Sequence, residues 1–266
     1  MAATTAPTRP QTQAPEPHTD SAGLPWWGYS AFFMGAQTIF GVYVLLVVMV
    51  DFRHNLGDPY LSPFFSPLLP APSLAGFVLS PGIFIVWSPL AFRASCYYYR
   101  KAYYRAFFAP PSCSMAPPSR LRRVRYWGET KFPTVLSNFH RFALYTAIIN
   151  IAFLLIDFLN AFHLHEGARS GHLMIGLGTL ILGLNVVMLS AYTFGCHAFR
   201  HLVGGGLDCY SCSLAARTRR SLWHQVTLLN ERHGLFALLS LFTVWGADIY
   251  VRLLTHAVFS DPRLVF

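Results

Sequence analysis

From Tyr29 to Val50 the chain runs for 22 residues without a charged side chain, enough at about 1.5 Å per residue to cross a hydrocarbon core of about 30 Å. Trp26 and Trp27 precede this stretch and Asp51 closes it. Comparable apolar stretches recur at about 74–99, 137–162, 173–199 and 230–254, so residues 26–266 are expected to form an all-α, polytopic bundle of five transmembrane helices. Composition agrees. Hydrophobic residues make up 54% of the 266 and charged residues only 12%, about half the usual share, which excludes an ordinary water-soluble domain. Residues 1–25, rich in Ala, Thr, Pro and Gln, read as a disordered polar tail rather than a cleavable signal.

Local features refine the spans. Pro81 and Pro89 predict a bend in the second, and Gly176, Gly178 and Gly183 suit close helix contact in the fourth. Asp157 and Asp248 fall near span ends, where a charge costs less than at the membrane centre, and are expected to face the outer headgroups. Residues 100–133 hold Arg100, Lys101, Arg105, Arg120, Arg122, Arg123, Arg125 and Lys131 against the single acid Glu129, and residues 200–232 hold five arginines. Loops 51–73 and 163–172 carry one arginine each. The excess of basic residues in alternate loops places the N-terminus in the cytoplasm and the C-terminus outside. The net charge of +9 is therefore topology and docking surface, not a nucleic-acid footprint.

Once this topology is drawn, four soft donors fall at one depth. Cys96 lies at the inner end of span two, His140 at the inner start of span three, Cys196 at the inner end of span four and His233 at the inner start of span five. Thiolates with imidazoles suit zinc or an iron–sulfur centre. In a Rieske-type [2Fe–2S] centre two cysteines hold one iron and two histidines the other, which raises the potential above that of an all-cysteine cluster. His197 and His201, spaced i, i+4, are alternate ligands. Five cysteines without regular spacing do not suggest a disulfide scaffold: Cys209-x-x-Cys212 is half of a zinc or redox motif, and Cys113 has no spaced partner. His163, His165 and His172 sit on an outer loop and read as solvated.

Several segments carry a resemblance. Phe92-Arg-Ala-Ser-Cys96-Tyr-Tyr-Tyr-Arg-Lys-Ala-Tyr-Tyr-Arg105 is the most specific, joined by Gly128-Glu-Thr-Lys-Phe-Pro133, Asn138-Phe-His140-Arg141, Cys196-His197-Ala-Phe-Arg200-His201-Leu-Val-Gly-Gly205 and Leu229-Asn-Glu-Arg-His233. Together they resemble the membrane anchor of actinobacterial-type succinate dehydrogenase, a form of respiratory complex II, over roughly residues 60–262. The resemblance implies a plasma-membrane subunit in lipid, bound on its cytoplasmic side to a flavoprotein subunit and an iron–sulfur subunit, with room for a higher oligomer of the complex. It also implies electron transfer to a quinone, menaquinone or ubiquinone, through a membrane-embedded Rieske-type [2Fe–2S] cluster with two Cys and two His ligands. Depth matches that ligand count to Cys96, Cys196, His140 and His233. Cys209-x-x-Cys212 and the N-terminal tail depart from the family pattern.

Succinate chemistry itself belongs to a partner, because the chain has no dinucleotide fingerprint and its loops are too short for a flavin domain. Near the donor level, Tyr97, Tyr98, Arg141, Glu231 and Arg232 are candidates to hydrogen-bond a quinone, with Arg141 and Arg232 also able to balance cluster charge. Two metal-based alternatives stay open: an anchor binding b haem through His140 and His233, and an intramembrane zinc hydrolase, which lacks an H-E-x-x-H motif. A solute transporter is weakened by the scarcity of ionisable groups at mid-membrane.

Overall fold

The computed structural model describes residues 28–71, 73–74, 77–99, 135–163, 172–206 and 208–266. The expected tail, the basic segment 100–133, Cys113 and His165 lie outside the described residues. Among the described residues, four helices are long and apolar enough to cross a membrane: α1 (Gly28–Met49), α3 (Leu136–Asn160), α4 (Leu177–Phe194) and α7 (His233–Thr255). The remaining expected span, the second, is the short helix α2 (Ile83–Ser95). Two helices lie between α4 and α7, namely α5 (His197–Gly204) and α6 (Leu214–Glu231).

The bundle is apolar on its outer faces as well as in its core. Leu45, Leu46, Phe142, Ile149, Leu180 and Val187 face outward, while Ser88, Arg93, Asn185, Ser240, Asp248 and Arg252 are buried. Lipid accepts the apolar faces, and polar groups find partners only within the protein. α4 packs most extensively on α7, and α3 packs on both α2 and α4. A core of Phe33, Phe40, Val44, Leu144, Tyr192 and Leu241 joins these helices.

The second span departs from expectation. Instead of a helix from residue 74, the chain forms the hairpin β3 (Ser73–Leu74) and β4 (Phe77–Val78), and helix begins only after Pro81-Gly82. α2 has 13 residues, about 20 Å of rise, and is too short to cross alone. The loop expected to lie outside makes up part of the deficit. After the hairpin β1 (Leu56–Gly57) and β2 (Tyr60–Leu61), a 3-10 turn at Pro63–Phe65 packs against α2 and α7, with Phe64 and Phe65 buried. Proline fixes the first φ of this turn, and Ser62 Oγ accepts from Phe64 N at 3.3 Å. At the same end, β5 (Met174–Gly176) pairs antiparallel with β6 (Arg263–Val265), holding the chain's last residues to the start of α4.

Asp248 also corrects an expectation. It is fully buried and does not face headgroups. Tyr43 Oη donates to it at 2.5 Å, Ser62 Oγ donates to its other oxygen, and Arg252 Nε, one turn further along α7, donates at 2.8 Å. Arg252 also reaches the Asp51 carboxylate and backbone carbonyl, each at 2.7 Å. This compensation allows a carboxylate to sit inside the bundle. Asp157 is half-buried.

Candidate metal centre

Both cysteines sit where a helix breaks. α2 ends at Ser95, and Cys96 turns to φ −59°, ψ 137° before helical backbone resumes at 97–99. α4 ends at Phe194, and Cys196 adopts φ −66°, ψ 142° as the N-cap of α5. Its sulfur accepts from Ala198 N at 3.4 Å. Gly195 precedes it because a side chain there would meet the Ala191 carbonyl oxygen at 2.6 Å and Leu229 at 3.2 Å. The histidines lie at the starts of returning helices, His140 near the beginning of α3 and His233 as the first residue of α7.

The four side chains converge as two nitrogen–sulfur pairs. Cys96 Sγ lies 3.6 Å from His233 Nε2, and Cys196 Sγ lies 2.9 Å from His140 Nε2. All four residues are buried. Aromatic faces set both imidazoles: Phe92 stacks on His140 at 4.5 Å and 13°, and Tyr192 on His233 at 5.0 Å and 17°.

Ser95 fixes the tautomer of His140. Its single hydroxyl proton goes to the Ala91 carbonyl at 2.7 Å, so Ser95 Oγ accepts from His140 Nδ1–H at 2.9 Å. Neutral imidazole protonated on Nδ1 keeps its lone pair on Nε2, the nitrogen that faces Cys196. This is the state a metal ligand needs, with its other nitrogen held by an outer partner. His233 differs, since its buried Nδ1 has no hydrogen-bond partner among the described residues. A buried nitrogen without a partner, on the ring whose Nε2 faces Cys96, fits a site built to receive another group. The donor set is that of a soft metal centre.

A cavity of about 630 Å³ opens onto these donors. Tyr97, Tyr98 and Arg141 line it, as do His197 and His201, which stand Nε2 to Nε2 at 3.1 Å on α5. His197 belongs to the cavity wall and not to the buried quartet; burial, then neighbouring His201 and Arg200, lower its pKa. Glu231 and Arg232 occupy the exposed turn between α6 and α7 and are not among the lining residues. Asn138 and Asn230, present in the resembling segments but not among the expected site residues, do line the cavity, and Asn230 ties α6 to the α4 break by donating to Gly195 O at 2.8 Å. Gly234 brings Tyr98 close, since a Cβ there would meet the Tyr98 ring at 2.9 Å. Cys209 and Cys212 form a disulfide with each other. His163 sits in an isolated bridge with Leu173, and His172 lies against Phe266 O at 3.2 Å.

At the opposite end, Asp51, His54 and His256 cluster around Arg252. Burial alone would raise the Asp51 pKa, but hydrogen bonds from His54 and Arg252, with their charge, outweigh it and hold the carboxyl below its ordinary value.

The arrangement has relatives. The description "Actinobacterial succinate dehydrogenase subunit SdhC" matches residues 30–257. A chain of the Mycobacterium smegmatis Sdh1 complex in the apo form is similar in structure, with a TM-score of 0.74 and 32% identity over 97% of this chain and 98% of that one. No curated protein matches. On this evidence the chain belongs to the family of actinobacterial succinate dehydrogenase SdhC subunits and is a membrane anchor of that enzyme.

Proposed function

We propose that this anchor relays electrons from a docked iron–sulfur subunit to membrane quinone through a Rieske-type [2Fe–2S] centre held by Cys96, Cys196, His140 and His233. The observation that carries this reading is the meeting of two thiols and two imidazoles, from four separate chain segments, as buried nitrogen–sulfur pairs. When bound, such a centre supplies one-electron transfer at a potential raised by its imidazole ligands. The chain's own residues do the rest. Ser95 presents the basic nitrogen of His140, while Phe92 and Tyr192 hold the two rings and exclude water. The adjoining cavity receives the quinone ring, with Tyr97, Tyr98 and Arg141 as hydrogen-bond donors. Quinone reduction consumes two electrons and two protons, and the His197–His201 pair supplies a hydrogen-bonded path between solvent and cavity.

The basic segments 100–133 and 200–232 adjoin the donor end in sequence, so the flavoprotein and iron–sulfur subunits dock there, on the cytoplasmic face of the plasma membrane. Each imidazole Nε2 faces a thiol sulfur, which favours a sulfur-ligated centre over b haem. Family membership weighs against the zinc hydrolase. Iron analysis and electron paramagnetic resonance of the purified, reduced complex test the reading. A Rieske-type signal is expected, together with its loss and the loss of the corresponding iron in a His140→Ala, His233→Ala double variant. Full iron retention in that variant, or a sharp reduced haem α band in the wild type, overturns it.

A further inference from the structure

Arg93 is a buried cation of the donor end, and no acid among the described residues answers it. It is 3% exposed, and its guanidinium donates only to neutral acceptors: Tyr99 Oη, the Ala237 carbonyl and Ser240 Oγ, each at 3.0 Å. No carboxylate pairs with it among the described residues. Three aromatic faces enclose it, with Tyr192 at 4.9 Å, Phe40 at 5.8 Å and Tyr99 at 5.9 Å. Such faces attract a cation but do not neutralise it. Removing a charge from water without a counter-charge costs several kcal/mol in a real protein, so an uncompensated guanidinium in the core of a bundle calls for a missing anion.

Its position says where that anion lies. Arg93 precedes Cys96 by one helical turn, and Cys96 N donates to the Arg93 carbonyl at 3.1 Å. The Tyr192 ring packs against both the guanidinium and the His233 imidazole. Arg141 and Arg232, which sequence position suggested for charge balance, are both exposed and screened by solvent.

We propose that Arg93 is the fixed counter-charge of the reduced centre, a positioning residue that raises the potential at which the bound centre accepts an electron. This rests on the reading that the four donors hold a [2Fe–2S] cluster. Two ferric ions, two sulfides, two thiolates and two neutral imidazoles sum to zero charge, and one electron from the docked iron–sulfur subunit makes the sum minus one. No bond forms or breaks. The buried cation therefore acts more strongly on the reduced state than on the oxidised state, in a low-dielectric interior where such terms are large.

The test is a redox titration of the purified complex followed by electron paramagnetic resonance, with iron content measured in parallel. Arg93→Gln keeps hydrogen-bond donors and removes the charge, Ser240→Asp keeps Arg93 but gives it an acid, and Arg93→Lys keeps the charge. In Arg93→Gln and Ser240→Asp the reduced-to-oxidised ratio at the wild-type midpoint is expected to fall at least tenfold, a shift of about 59 mV for one electron. Arg93→Lys is expected to stay within about threefold of wild type, on the same scale. Loss of iron in the first two with retention in Arg93→Lys also supports a counter-charge. An unchanged midpoint with an intact signal in either charge-neutralising variant overturns the proposal and leaves Arg93 as a tie between α2 and α7, as does equal loss of iron in all three. Absence of a Rieske-type signal from the wild-type complex instead defeats the cluster reading itself, before any variant is made.

Discussion

Two arginines sit deep in this bundle, and they are treated in opposite ways. Arg252, at one end of α7, is bonded to Asp248 and Asp51 and completes a network that includes Tyr43 and Ser62. Arg93, near the other end, meets only a carbonyl and two hydroxyls. The first region balances its own charges and serves to close the fold. In the second, a lone cation, an orphan imidazole nitrogen and two thiols share a small volume beside a cavity. The difference separates scaffold from receptor: paired charges hold helices together at one end, whereas at the other a cation with no acid among the described residues stands near donors that meet as nitrogen–sulfur pairs.

That contrast can be broken by experiment. The largest effect is expected from Cys96→Ala or Cys196→Ala, each of which should abolish the Rieske-type signal, while Asp248→Ala leaves the signal of the folded fraction intact. Loss of the signal in Asp248→Ala would erase the distinction between the two ends. The same Asp248→Ala change strips Arg252 of its buried partner and should destabilise the anchor by about 3 kcal/mol, the lower end of the range for breaking a buried pair, because Asp51 still faces Arg252. Denaturant or thermal unfolding of the purified complex measures it. Ser95→Ala removes the acceptor that fixes the His140 tautomer, and iron retention against a chelator should weaken by about 10–100-fold, as for other outer-partner changes.

The smallest effect is acid sensitivity at the Arg252 end. The Asp51 pKa is held down in the folded protein, so its contribution is complete above the unfolded value of about 3.9 and is lost as pH falls through the lower folded value. The unfolding midpoint of the wild type should drop below that of its own neutral-pH reference more steeply than in Asp51→Asn. Equal acid slopes in the two proteins would remove Asp51 from the network's account.

Much of this was legible in the sequence, for reasons particular to each element. The uncharged runs reveal α1, α3, α4 and α7 because lipid demands long apolar helices, and charge boundaries give depth, which brought Cys96, His140, Cys196 and His233 to one level. The helix breaks at both cysteines escaped notice, since window hydropathy is blind to a single extended residue. The shortness of α2 was hidden for a similar reason: the missing length comes from Phe64 and Phe65, which are apolar but belong to a loop. Ser95 carries no signal of its own, and its role exists only through a proton donated to Ala91 and another accepted from His140. Arg93 stood in the sequence only as part of the resembling segment, because sequence shows where a cation sits along a span but not whether an acid faces it.

The pairing of the donors also bears on biogenesis. Cys196 meets His140, 56 residues before it, but Cys96 meets His233, 137 residues after it and at the start of α7. A nascent anchor therefore presents Cys96 without its partner until α7 has been made and inserted. Under the proposed reading, loading of the centre would follow that insertion and so double as a checkpoint for it.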